Sequence, residues 1–488
     1  MTKRKQKGFF KMTKTRRIYL LRPGEYSPET IAVAFAKTSR SPLPFDEIAA
    51  ELNDESSARF HEKWVVGYGH SSVAEHAVLH LAFENVSRLA IETIEANRLA
   101  SYTEKSTRYQ LWDEDAFHLP EELVGSPYET DYLNLCQTLF RTYLQCIPQL
   151  KNWLRETLPR HAGESDKTFE RRLEPAAIDY GRFLLPAASL ANVGMTVNAR
   201  TLEYAICKML SSSLAEVRAI GERLLEVCQL ETPTLVKYAA CNAYLQGVEQ
   251  KITERAAGIA TALERHHDFR LLDYDHAGQE RILAAILFRF GHQADFQSAY
   301  KYVLSLSEDE KCRLVETLME GRGAFDQPLR EFEYAQMSFE AVMDQGAYFE
   351  FKRHRMMTQT VQPLTASLGF AVPQGITAAG CEAEYLDAMR QAAELYERVS
   401  AWNRAVASYM IPNGFNRCVL FSMNLRQVFH FCKLRGAENA HFSIRRVAYQ
   451  VAEAVQQAYP LLGAYLDMPS GETWESIEQQ YFSTVNTC

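Results

Sequence analysis

Leu184-Leu185-Pro186, with Asn198-Ala199-Arg200 twelve residues further on, returns as Met410-Ile411-Pro412, with Asn424-Leu425-Arg426 twelve residues further on. Both pieces recur at one offset, 226 residues, as Pro186 and Pro412 show. A helix is expected after each Asn-x-Arg, ending in a related tail: Glu216-Val217-Arg218 and Ser443-Ile444-Arg445, the second one residue out of register. Upstream, Arg98 and Arg355 each follow an apolar helical stretch, and Arg270 to Tyr274 resembles Arg17 to Leu21. Repeats of this length are domain duplications, not solenoid units. The chain therefore reads as an α/β protein of the α+β type: two tandem copies, each a small sheet flanked by long helices. The expected boundaries are a flexible leader over 1–16, a first copy over 17–245, a linker over 246–267 and a second copy over 268–488.

Local signals fill in the first copy. A strand is expected over Arg17–Leu21, and a helix over Ser27–Lys37 with Ser27-Pro28-Glu29 as its cap. Another helix is expected over Glu47–Val66, ending at Gly67-Tyr68-Gly69. The alternation of Val78 to Glu84 predicts a strand, and Ser87 to Ala100 a helix carrying Leu89, Ile91, Ile94 and Leu99. A long helix is expected over Glu129–Leu158, with a possible kink at Pro148. The charged, glycine-containing stretch Arg160–Pro175 reads as a loop, and Ala199–Glu226 as one helix bent near Ser211. Arg98 to Asn198 spans 100 residues and Arg355 to Asn424 only 69, so the first copy carries extra residues, placed in and around that loop.

Composition narrows the function classes. The 488 residues are 47% hydrophobic and 23% charged, which excludes wholesale disorder. A net charge of −8 argues against a nucleic-acid coat or a polybasic membrane binder. Ten cysteines without metal spacing suit a reducing compartment, here the cytoplasm, and no metal site is expected. No apolar run reaches the length of a membrane span. The basic N-terminus lacks the apolar core of a signal peptide and reads as an exposed tail or a mis-assigned start.

Four stretches carry polar side chains worth weighing. Gly69-His70-Ser71-Ser72-Val73-Ala74-Glu75-His76 is either a structural turn or one that offers hydroxyls and N–H groups to an anion. Ser101 to Tyr109 places Glu104, Ser106 and Arg108 on one side if extended, a nucleotide cradle or a solvated strand. Lys352-Arg353-His354-Arg355 lies between apolar neighbours, so its cations call for anions, from a phosphorylated cofactor or an acidic helix. Arg426 and Arg435, nine apart, lie on opposite sides of an ideal helix.

Together these pieces resemble the flavin-dependent thymidylate synthases. That family's pattern is a Gly-His-x-Ser-Pro-x-Glu-His turn, an Arg-His-Arg run, Ser-x-Asn-Glu-x-Ser-x-Arg-Tyr, an Arg-x-x-Leu-Pro, and Asn-Leu-Arg with a downstream Leu-Arg. Each copy keeps a different half. The first has Gly69 to His76, with Val73 in place of Pro; Ser101, Glu104, Ser106, Arg108 and Tyr109, with Thr103 in place of Asn; and Arg182 before Leu185-Pro186. Its Arg-His-Arg has become Ala96-Asn97-Arg98, and its Leu-Arg has become Lys208-Met209. The second copy keeps Arg353-His354-Arg355, Asn424-Leu425-Arg426 and Leu434-Arg435, but carries Val361, Pro363 and Thr365 for Glu, Ser and Arg, and Ser408 for the Arg before Pro412.

The resemblance implies the family's fold in each copy and composite sites between unlike copies, two chains pairing into a pseudo-tetramer with two complete and two dead sites. It implies methylation of dUMP to dTMP with methylene-tetrahydrofolate as co-substrate, NADPH as reductant and FAD as cofactor. Arg435, Arg108 and Glu104 would carry the catalytic contacts. Ser106, Thr107, Arg108, Arg182, Glu350, Arg353 and Arg435 would bind the nucleotide. His70, Ser72, Arg353, His354, Arg355, Glu104, Asn424 and Arg426 would line the flavin. No nucleic acid or membrane partner is implied. Glu350 replaces the family's Gln near the base, so the same chemistry on another pyrimidine nucleotide is one alternative. A flavin- or nucleotide-binding protein without turnover is the other.

Overall fold

The computed structural model describes residues 17, 19, 21–39, 41–67, 71–256, 258–259, 268–323, 325–469 and 471–487. Three strands come from the first half: β1 (Val78–Ser87), β2 (Ala100–Glu104) and β3 (Leu190–Asn198), in sheet order β1-β3-β2. The second half contributes β4 (Phe269–Tyr274), β5 (Gln336–Asp344), β6 (Thr358–Val361), β7 (Phe370–Pro373), β8 (Asn416–Asn424) and β9 (Phe482–Thr487). Four of these form the sheet β4-β5-β8-β6, and β7 pairs with β9. The order β5-β8-β6 repeats β1-β3-β2, with β4 added at one edge. All resolved pairings in the four-stranded sheet are antiparallel, with Gln336 opposite Asn424 and Asp344 opposite Asn416. One face of that sheet buries Met337, Phe339, Ala341 and Met343 with Phe421 and Met423 against the Leu425–Arg435 and Phe442–Ala458 helices.

Two compact units emerge among the described residues. One holds those up to His80 with Thr196–Cys207 and Glu222–Ala240; the other holds Leu81–Met195, Lys208–Gly221 and those from Cys241 onward. In the first, the buried Glu29 carboxylate accepts from the N–H groups of Thr234 and Leu235 at 2.8 and 3.1 Å, and His61 bonds the Glu29 carbonyl at 3.0 Å.

The second unit contains an internal dyad. Ala187 N donates to Ile411 O at 2.9 Å and Asn413 N to Leu185 O at 3.0 Å. Ala188 N donates to Tyr409 O at 2.9 Å and Gly414 N to Phe183 O at 2.8 Å. Shifted by the 226-residue offset, each bond in a pair becomes the other, which is the signature of an isologous two-fold contact. The dyad passes by Pro186 and Pro412, which pair as an antiparallel bridge.

Several expected elements differ. Arg17 and Tyr19 are not in a strand; their side chains reach Asp46 at 2.5 and 2.9 Å. The single helix expected over Glu47–Val66 is broken into Phe45–Ala50 and Asp54–His61, because Asn53 and Ser56 form a capping box that starts a new helix. The helix expected over Ser87–Ala100 covers only Arg88–Ile94. Ala199–Leu210 and Ala215–Cys228 are separate helices. The stretch Arg160–Pro175 is not a loop throughout: Ser165 caps a helix over Asp166–Gly181, which buries Phe169, Leu173 and Ala177 at helical spacing. The expected linker is entered by a helix, Ala243–Ala256; the leader and residues 260–267 lie outside the described residues. The additional length of the first copy is helical. Between Glu129 and Arg182 it holds helices of 29 and 16 residues, where the second copy has 19 and 4.

Candidate functional site

Strand β2 ends at Glu104, and the chain then turns through Lys105 to Tyr109 beside the first turn of the Arg88–Ile94 helix. Facing it, the Gln345–Phe351 helix ends at Lys352 and delivers Arg353 to Arg355, while the Leu425–Arg435 helix delivers Arg435 from its last turn. Between them is a cavity of about 240 Å³. From the first half it is lined by Arg88, Lys105, Ser106, Thr107, Arg108, Tyr109 and Arg182; from the second by Phe349, Glu350, Arg353, Leu434, Arg435, Asn439 and Ala440. A larger cavity, about 670 Å³, lies against β4 among Tyr274, Arg446 and Trp474 and holds none of the expected residues.

The cavity is cationic, and its cations are tied down by the protein's own carboxylates. Arg108 donates side-on to Asp179, Nε and Nη2 each at 2.8 Å, and through Nη1 to the Asn439 carbonyl at 3.1 Å. Three of its five N–H groups are thus committed, leaving one on each terminal nitrogen. Glu350 lies between Arg182, 3.5 Å away, and Arg435, 3.0 Å away. Arg182 is 2% exposed, and its Nε has no hydrogen-bond partner among the described residues. Arg182 Nη1 reaches Thr107 Oγ1 at 3.5 Å, and the Ser106 hydroxyl accepts from Arg108 N at 3.1 Å. Glu104 is buried between Arg88, at 3.0 Å, and Arg353, at 3.4 Å. Burial pushes its carboxyl up, but Arg88, Lys352 and Arg353 hold it below the ordinary value.

His354 accepts at Nε2 from Arg435 Nε at 2.9 Å, which leaves the ring proton on Nδ1. Burial first, and Arg435 second, keep this imidazole well below its usual value, so it is neutral. Arg355 stacks 5.1 Å from the Tyr102 ring centroid and has no ion-pair partner among the described residues.

Of the expected residues, Glu104, Ser106, Thr107, Arg108, Arg182, Glu350, Arg353, His354 and Arg435 come together around this cavity. Asn424 and Arg426 do not. They lie at the opposite end of the helix that carries Arg435, where Asn424 caps the helix and Arg426 reaches Pro328 O and Glu333, each at 3.0 Å. Ser72 is exposed in the other unit, and His70 lies outside the described residues. The expected alternation of Glu104, Ser106 and Arg108 on one strand face fails because β2 stops at Glu104. Arg88, Asp179 and Phe349 were not anticipated. For Arg88 a signal existed: it shares a helix face with Ile91 and Ile94, and a cation on an apolar face needs a partner.

The dyad also identifies a mate for this cavity. Arg88 N→Ser189 O and Leu89 N→Ala187 O recur as Gln345 N→Phe415 O and Gly346 N→Asn413 O, which equates Arg88 with Gln345 and Phe349 with Glu92. There, Arg417 Nη1 bonds both Glu92 oxygens, at 2.8 and 2.9 Å, and Gln345 Oε1 at 3.0 Å. At these two positions the mate holds an ion pair where Arg88 and Phe349 line the cavity.

The family model for thymidylate synthase complementing protein matches residues 24–234 and again 270–461. The chain belongs to this family. It carries the family domain twice, as a tandem duplication. A UPF0159 protein of Chlamydia muridarum (strain MoPn / Nigg) is 28% identical over 433 residues, covering 85% of this chain and 82% of its own. UPF0159 protein Ta1429 of Thermoplasma acidophilum is 27% identical over 451 residues, covering 85% and 89%. A flavin-dependent thymidylate synthase of Clostridium tetani (strain Massachusetts / E88) is 27% identical over 215 residues, which cover 82% of that protein but only 44% of this chain. Among the described residues, no helix is long and apolar enough to cross a membrane.

Proposed function

We propose that the chain is a flavin-dependent thymidylate synthase that methylates dUMP to dTMP in the cytoplasm, using methylene-tetrahydrofolate and NADPH, at a site built from unlike copies. The observation that carries this is the single cavity gathering Ser106, Arg108 and Arg182 of one copy with Glu350, Arg353 and Arg435 of the other. Each half alone lacks what the other supplies.

The residues divide by what they offer. The two remaining N–H groups of Arg108 and the Ser106 hydroxyl suit a phosphate. Arg182 and Arg435, fixed by Glu350, are cations aimed at the pyrimidine; held rigidly in a buried site, they polarise its carbonyls and make C5 nucleophilic without a cysteine. Arg353, His354 and Arg355 fit a dinucleotide such as FAD, because Arg355 has no anion among the described residues and Arg353 shares Glu104 with Arg88. Bound there, FAD would carry hydride from NADPH. Asn424 and Arg426 would reach the flavin only from another chain, so the assembly is proposed as a homodimer forming a pseudo-tetramer.

Tritium release from 5-labelled dUMP in the presence of NADPH and methylene-tetrahydrofolate, with dTMP identified as product, tests the reading. Glu350, an acceptor where an amide would both donate and accept, favours including UMP and dCMP; methylation of either in preference to dUMP would move the assignment to another pyrimidine nucleotide. Bound flavin without methylation of any of them would leave a binding protein.

A further inference from the structure

Arg88 is 2% exposed, on the buried face of its helix beside Ile91 and Ile94. A guanidinium so placed requires an anion and a surface to cover it. It has both: Glu104 at 3.0 Å and the Phe349 ring 3.7 Å from its Cζ. The other oxygen of Glu104 lies 3.4 Å from Arg353 Nη2. Arg88 and Arg353 both line the cavity. One carboxylate therefore ties together two cavity arginines, one from each copy.

The mate half forms without this particular pair, with Arg417 and Glu92 paired beside Gln345 instead. The equivalent positions are Gln345 and Val361, so cation and anion are absent together, yet the same strand order and the same helix-start hydrogen bonds form there.

We propose that Arg88 is a positioning residue of this site: it holds Glu104 as a carboxylate, and Glu104 holds Arg353 toward the bound nucleotide. The identity of that ligand rests on the reading given under Proposed function. The groups facing Glu104 are Arg88, Lys352 and Arg353; Glu92 and Glu95 act on Arg88 along its own helix, and Glu95 also pairs with Lys352 at 2.9 Å. Of the three cations, Arg88 offsets burial most. Without it, Glu104 takes up a proton at higher pH.

The test uses the full chain with Arg88→Gln, Arg88→Lys and Glu104→Gln. Carboxyl titration of protein labelled with carbon-13 at the glutamate carboxyl, with the Glu104 signal assigned by its loss in Glu104→Gln, needs no substrate. Its midpoint is expected to rise by more than one pH unit in Arg88→Gln and by much less in Arg88→Lys. The acid limb of dTMP formation is expected to move by the same amount, with kcat regained at higher pH and with lysine. If Arg88→Gln does not fold, Arg88→Gln/Glu104→Gln removes the stranded carboxylate and is expected to bind dUMP as Glu104→Gln alone does. An unmoved titration in Arg88→Gln overturns the proposal, as does dUMP binding by the double variant ten-fold weaker than by Glu104→Gln. A titration that moves in protein that makes no dTMP keeps the positioning role and removes the proposed activity.

Discussion

Arg108 and Asp179 form a fork whose orientation matters more than its charge. The carboxylate occupies the Nε/Nη2 edge at 2.8 Å on each nitrogen, so the guanidinium cannot rotate without breaking two charge-assisted bonds. The mate positions are Thr365 and Ala405, both without charge. Arg108→Ala is expected to lower kcat/KM for dUMP roughly 100-fold, the value of a bidentate charged contact of about 3 kcal/mol. Asp179→Ala is expected to raise KM about ten-fold with kcat retained, as steady-state rates across dUMP concentration would show. A pH dependence belongs to the same scale. His354 accepts from Arg435, and His441 donates to Asp179 O at 3.0 Å while accepting from Ser443 N at 3.1 Å. Burial holds both imidazoles well below 6.5. The unfolded chain takes up protons at these sites as pH falls through about 6.5, and the folded chain does not. Their contribution is therefore present above that pH and lost below it. Urea midpoints should fall between pH 7.5 and 5.5, and His441→Asn should flatten that slope.

At the scale of elements, the two copies solve the same packing problem with exchanged chemistry. Ser87 caps the Arg88–Ile94 helix and donates to Glu216 at 2.6 Å; Asp344 caps the Gln345–Phe351 helix and accepts from Ser443. Donor and acceptor have traded places, so neither half shows the bond in its sequence without the other. The 226-residue offset was legible because it is a matter of identity and spacing, and the site residues because their motif pieces survive. Arg88 and Asp179 were not legible as a site, since each gains its meaning from a partner at least 16 residues away. The Asp166–Gly181 helix was misread because its charges obscured Phe169, Leu173 and Ala177; Ser165→Ala should cost about 1 kcal/mol through the lost cap to Thr168 N. At the dyad, Ala188 and Gly414 make equivalent bonds, yet only one tolerates a methyl. A Cβ on Gly414 would lie 2.7 Å from Tyr385 Oη and 2.8 Å from Met389 Cε. Gly414→Ala should therefore destabilise the fold by about 1–3 kcal/mol, measured by denaturant unfolding.

For the whole molecule, the division of labour decides what a mixture of variants can do. Residues of both copies meet within one chain: Arg353 reaches Glu104 at 3.4 Å, and Glu350 bridges Arg182 and Arg435 within the same compact unit. The second place related by the dyad carries Arg417 and Glu92 paired beside Gln345, and lacks the arginines of the first, with Ser408 and Met209 for Arg182 and Arg435. One nucleotide per chain is thus expected, and calorimetric titration with dUMP should saturate at that ratio. Arg108→Ala and Arg353→Ala each remove one half of this cavity in their own chain, so neither variant keeps both halves together. An equimolar mixture should therefore stay as inactive as either variant alone. Recovery of about a quarter of wild-type dTMP formation on mixing would mean that the halves are exchanged between chains and that the cavity described here is not the working site.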